Sequence, residues 1–237
     1  MNASRAVILS RIRRALIRPG AAHGQAPGGA DSVRPLSDRV GSARLLEQFQ
    51  EQSARVGGEP RLCADIEEVL TGIQDLVATA GYRRVAVSNH AICRRHRLAE
   101  ALSDLLPEVS LWTEAGDANS NGSRRRNSRQ LAQADLSVTG AGFLIAESGT
   151  VLIASDGASR QISLLPTAHL VLATPDQVYP DLAAVFERLG TAPEEDRLPA
   201  ALTMITGPSR TADIEKVLIK GAHGPVRQLT WVIGEES

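Results

Sequence analysis

From Leu62 to the C-terminus, short apolar runs rich in Val, Ile and Leu alternate with helix-like stripes and with Gly, Pro and Asn breaks. This rhythm restricts the fold more than any other feature, because a strand followed by a helix returns to its sheet in parallel, by a right-handed crossover. The clearest helix starts at Asp65, which has capping-box spacing to Glu68; Ile66, Val69, Leu70, Ile73, Leu76 and Val77 then make one apolar stripe that Gly81 ends. Strand-like Val85-Ala86-Val87 follows at once, a weaker helix runs over 91–106, and Val109-Ser110-Leu111-Trp112 completes a β-α-β unit. The expectation is an α/β fold, a mostly parallel twisted sheet flanked by helices.

Further strands are read at Leu136-Ser137-Val138, His169 to Ala173, Leu202 to Thr206 and Leu229 to Ile233, with helices over 181–189, closed by Gly190, and over 211–220. Phe143 to Ala146 and Thr150 to Ala154 flank Ser148-Gly149 and read as a β-hairpin with a two-residue turn. The N-terminal part is of another kind. Its first eighteen residues carry five Arg and no acid, with Val7, Ile8, Ile12, Ala15 and Leu16 at helical spacing. The arginines interrupt any h-region, so a docked helix in a cytoplasmic protein is expected rather than a secretory signal. The Gly- and Pro-rich stretch 19–35 reads as a flexible linker, and 36–56 as a helix with Leu45, Leu46 and Phe49 on one side and Gly57-Gly58 as its stop. Residues 1–60 are thus expected to be an N-terminal helical arm and 61–237 an α/β domain.

Several function classes are disfavoured. A net charge of −1, from 26 basic and 27 acidic residues, argues against a chain that coats nucleic acid. The run Arg124-Arg125-Arg126 has no interleaved aromatics on which bases would stack. No apolar run approaches the ~20 residues that cross a bilayer. Two cysteines, Cys63 and Cys93, cannot supply the four thiolates of an ordinary iron–sulfur cluster. With no H-x-x-x-H or H-x-H spacing, no metal site is expected. Gly140-Ala141-Gly142 lacks the third glycine of a dinucleotide fingerprint, and neither a P-loop nor a G-x-S-x-G elbow occurs.

The residues that invite chemistry lie at chain reversals. Glu147 follows Phe143-Leu144-Ile145-Ala146, so partial desolvation at a strand end is expected; such a carboxylate serves as nucleophile or ligand, with Ser148, Gly149 and Thr150 beside it. Gly207-Pro208-Ser209-Arg210-Thr211-Ala212-Asp213 joins a strand to the expected helix. There Gly207 permits close backbone approach, Ser209 or Thr211 caps, Arg210 offers a fork for a carboxylate, and Asp213 disfavours a multiply charged phosphate. A small monocarboxylate or a shielded phosphate fits best. His223, in Gly221-Ala222-His223-Gly224-Pro225, is the acid–base candidate, whereas His169 reads as a core histidine.

Taken in order, Ala146-Glu147-Ser148-Gly149-Thr150, Ser163-Leu164-Leu165-Pro166, Thr206 to Glu215, and Gly221 to Pro225 make the chain resemble the lactate utilization protein C family, also called YkgG or the LUD domain. The resemblance is strongest over 130–235. It implies a fold related to the NagB/RpiA/CoA-transferase group, with Rossmann-like connectivity. It also implies a role in oxidising L-lactate to pyruvate alongside two partner proteins that carry the iron–sulfur clusters, this chain being the cluster-free member. Fold analogy suggests an alternative, a stand-alone transferase or ligase using Glu147 as acyl acceptor on a small carboxylic acid or acyl-CoA.

Overall fold

A computed structural model describes residues 39–106, 109–113, 128–155, 159–190, 201–211, 219–220 and 224–234. The N-terminal helix, the 19–35 linker and the arginine run 124–126 lie outside these residues. In chain order the elements are α1 (Arg39–Arg55), β1 (Glu59–Cys63), α2 (Ile66–Ala80), β2 (Arg84–Val87), α3 (Ala91–Arg95), α4 (Leu98–Leu105), β3 (Ser110–Thr113), β4 (Leu136–Gly140), β5 (Phe143–Ile145), β6 (Thr150–Ser155), β7 (Ala168–Ala173), β8 (Val178–Tyr179), α5 (Leu182–Gly190), β9 (Ala201–Ile205), β10 (Arg210–Thr211), β11 (Ile219–Lys220) and β12 (Arg227–Ile233). None of the described helices is long and apolar enough to cross a membrane.

Six strands form an all-parallel sheet in the order β1-β12-β7-β4-β2-β3. Such sheets are covered on both faces, and every residue of β4 and β7 is buried. On one face Leu136, Val138, Leu170, Leu172 and Leu229 share a core with Val69 and Ile73 of α2 and Leu98 and Leu102 of α4. Val171, Ala173 and Val232 belong to a second core, with Leu46 and Phe49 of α1 and Leu144, Val151 and Ile153 of a smaller four-stranded sheet, β8-β5-β6-β9. The small sheet's other side, Ile145 and Leu152, packs on Val185 of α5.

One row of the main sheet is polar. Ser137, His169 and Gln228 stand side by side across β4, β7 and β12. Thr139 Oγ1 lies 2.8 Å from His169 Nε2, and Gln228 Oε1 lies 3.0 Å from His169 Nδ1. With the imidazole fully buried, loss of hydration pushes its pKa down to about 4, so it is a neutral, hydrogen-bonded core residue.

Local chemistry sets the element ends. Asp65 caps α2 by accepting from the Glu68 amide (2.8 Å), and Gly81 ends it in the left-handed region at φ 68°. The second half of the capping box is displaced by one residue, since Glu68 accepts from the Ala64 amide instead.

Three expectations are revised. The helix read over 91–106 breaks into α3 and α4 around Arg97, a non-glycine residue at φ 46°. The hairpin exists, but Ile145 pairs with Thr150, so four residues rather than two connect β5 and β6, and both belong to a separate sheet. Arg210–Thr211 pairs antiparallel with Ile219–Lys220, so both ends of the segment read as the helix 211–220 are strand. That backbone answers its amides across a ladder where a helix start would have left them open.

Candidate functional site

Three motifs singled out in the sequence meet at the C-terminal end of α1. Ser148 Oγ lies 2.7 Å from Thr150 Oγ1, which lies 2.8 Å from Thr206 Oγ1, so a row of hydroxyls joins the hairpin loop to the end of β9. Gly149 has φ 64°, and a Cβ there would fall 2.2 Å from the Ser53 amide nitrogen. Gly207 has φ 76°, and its Cβ would fall 2.4 Å from the Val56 carbonyl oxygen. Both glycines therefore serve backbone-to-backbone contact with the last turn of α1. The Ser209 amide donates to the Pro225 carbonyl (2.9 Å), which brings in the third motif. Pro225 precedes β12 and Val56 precedes β1, so this cluster lies toward the amino ends of those parallel strands.

Glu147 stands in the hairpin loop, its amide donating to the Pro180 carbonyl (3.0 Å), and its side chain is exposed. Desolvation at the strand end does not occur, because the loop lifts the residue clear of the core that Ala146 enters. Asp213 and His223 lie outside the described residues, and Arg210 and Thr211 are described as β10 only.

At the opposite, carboxyl edge of the sheet lies a group that the sequence reading missed. After β2 the chain moves outward to β3, and β4 then returns on the other side of β2, so the direction of winding reverses between β2 and β4. Ligands of open α/β sheets sit in the crevice at such a reversal. The residues here are Ser88-Asn89-His90 after β2, and Gly140 at the end of β4. A Cβ on Gly140 would lie 1.9 Å from His90 Nδ1, so the imidazole rests directly on a bare backbone. His90 Nδ1 accepts from the Ile92 amide (3.4 Å), and its own amide donates to Ser88 Oγ (3.3 Å). Arg94 Nη1 donates to the Asn89 carbonyl (2.7 Å) and reaches its Oδ1 (3.3 Å). Burial first, and the Arg94 charge second, hold His90 below its ordinary pKa. The strand-end position of His90 is readable in the sequence; the reversal between β2 and β4 depends on strand order, which is not.

Among the described residues no group of three His, Cys, Asp or Glu side chains is arranged to hold a metal ion. Cys63 is buried, and loss of hydration pushes its thiol up to about 11, so it behaves as a core residue.

The all-parallel main sheet and its reversal of winding between β2 and β4 define an α/β protein of Rossmann-like type. The chain belongs to the LUD domain family, whose profile matches residues 46–232. It is similar to lactate utilization protein C of Bacillus pumilus, 36% identical over 198 residues that cover 81% of this chain and 79% of that protein. It is also similar to lactate utilization protein C of Halalkalibacterium halodurans, 41% identical over 97 residues, 40% of this chain. Against that relative and the one from Shouchella clausii, the chain spans about half the relative's length, 42% and 54%. Among solved structures, a DUF162 family protein from Deinococcus radiodurans superposes with a TM-score of 0.52 at 20% identity, over 81% of this chain and 98% of that one, which bears on the fold alone.

Proposed function

We propose that this chain is the cluster-free component of a lactate-utilization system, working beside iron–sulfur partner proteins in the oxidation of L-lactate to pyruvate in the cytoplasm. The similarity to lactate utilization protein C of Bacillus pumilus over four fifths of the chain carries this reading. Two cysteines, both buried, leave electron transfer through clusters to the partners. In this reading the hairpin loop with Glu147, Ser148, Gly149 and Thr150, and the segment after β9 with Gly207 and Ser209, organise a partner or a small carboxylate, and Arg210, Thr211, Asp213 and His223 are the further residues assigned to that task. The exposure of Glu147 supports that role over an acyl acceptor.

An anaerobic pull-down of the tagged chain from lactate-grown cells of its own source tests the reading. Brown, cluster-bearing partners identified by mass spectrometry are the expected result, and Glu147→Ala and Arg210→Ala should each weaken their capture. A colourless, solitary protein from cells that oxidise lactate normally would overturn it.

A further inference from the structure

We propose that the carboxyl edge of the main sheet, where β2 and β4 part, is a binding site for a small 2-hydroxy or 2-oxo monocarboxylate, held through Arg94 and His90. The site is separate from the motif cluster around α1. The inference of a monocarboxylate stands on geometry; the choice of an acid with oxygen at C2 rests on the lactate reading above.

Four observations converge. Winding reverses here, so the loops after β2 and β4 diverge from one another, the arrangement at which open α/β sheets take their ligands. The imidazole of His90 is half-buried on Gly140, a seat that any side chain at that position would take away. Its Nδ1 accepts from the Ile92 amide, which puts the ring proton on Nε2 and leaves that N–H without a protein partner among the described residues. Arg94 spends only Nη1 on Asn89, so the Nε/Nη2 edge of the guanidinium keeps its donors, and no described carboxylate pairs with it.

The Arg94 amide donates to the His90 carbonyl (3.1 Å), so the two residues are one turn apart at the start of α3, near enough for the Arg94 charge to act on the imidazole. A planar two-donor edge beside a single N–H matches a carboxylate next to a C2 oxygen. The fork takes both carboxylate oxygens, and Nε2–H donates to the hydroxyl or keto oxygen. Burial first, and the Arg94 charge second, disfavour the protonated form of His90. An anion held by both residues relieves the second of these. The five-residue helix α3 is too short for its dipole to matter, so side chains carry the site.

Titration calorimetry on the full chain tests it with L-lactate, pyruvate, propionate and inorganic phosphate as probes. Lactate or pyruvate should bind, with propionate about tenfold weaker because it offers Nε2–H no acceptor. Arg94→Gln, at an exposed position that leaves the core untouched, should weaken binding about tenfold or more. His90→Ala should abolish the preference for lactate over propionate while the near-ultraviolet circular dichroism stays native. Absence of binding by all four probes would overturn the proposal, as would equal affinity in Arg94→Gln, propionate binding as tightly as lactate, or a preference for phosphate. Loss of the crevice with cluster-bearing partners still captured would leave the lactate-system reading standing. Binding with no partner captured would do the reverse.

Discussion

At the residue scale, the molecule uses two of its histidines in contrasting ways. His169 has both ring nitrogens engaged and is shut away from water. Its folded pKa of about 4 lies below the ordinary 6.5, so the unfolded chain takes up a proton that the folded chain refuses. Stability is therefore full above about pH 6.5 and falls as pH drops toward 4, by on the order of 3 kcal/mol. Urea unfolding at a series of pH values should show that slope, and His169→Gln, with a lower starting stability, should flatten it. Glu68, held below the usual carboxylate range by the Ala64 amide and then by Arg61, loses its contribution at still lower pH. His90, by contrast, sits on Gly140. Gly140→Ala should cost about 1–3 kcal/mol through overlap with the ring, and adding His90→Ala should restore most of it, a coupling that a double-mutant cycle on thermal unfolding would read. The core role of His169 was legible, because it opens an apolar strand. His90 was not, since nothing in a local window says which strand end lies at a reversal of winding.

At the scale of elements, α1 ties the two sheets together. Phe49 is fully buried among residues of both, and Phe49→Ala should cost about 3–5 kcal/mol in denaturant unfolding. The apolar face of this helix was readable from Leu45, Leu46 and Phe49, and its stop from Gly57-Gly58. Its partners were not, for an amphipathic stripe states that a face is buried without stating against what. The same limit explains the hairpin: two apolar runs around Ser148-Gly149 announced two antiparallel strands, while their membership of a second sheet depends on β8 and β9, far along the chain. Thr211 to Lys220 misled for a different reason. Asp213 and Glu215 resemble a helix's acidic first turn, yet pairing of β10 with β11 outweighs that local preference at both ends of the segment. Asp65, where cap and stripe agree, marked α2 to within a residue. Asp65→Ala should lower stability by about 1 kcal/mol, since the Glu68 amide loses its acceptor.

For the whole molecule, a hydroxyl- and glycine-lined cluster lies toward the amino ends of β1 and β12, and His90 and Arg94 follow β2 at the opposite, carboxyl edge. Because α1, the small sheet and the main sheet share one core, far- and near-ultraviolet circular dichroism should lose signal together in denaturant, with no intermediate plateau. The parallel sheet was legible in the β-α-β rhythm; its strand order, with β1 carried across to the outer side of β12, was not. That placement sets a schedule. The pairing of Glu59 with Leu229 and the bond from Arg227 to Glu59, 168 residues away, exist only once nearly the whole chain has been made. At the usual 5–20 residues per second, about ten to thirty seconds separate the emergence of β1 from that of β12, its one sheet neighbour among the described residues. Through that interval the nascent chain carries an unpaired first strand, so ribosome-bound chains that end before β12 should be cleaved by protease within β1 and the released protein should not.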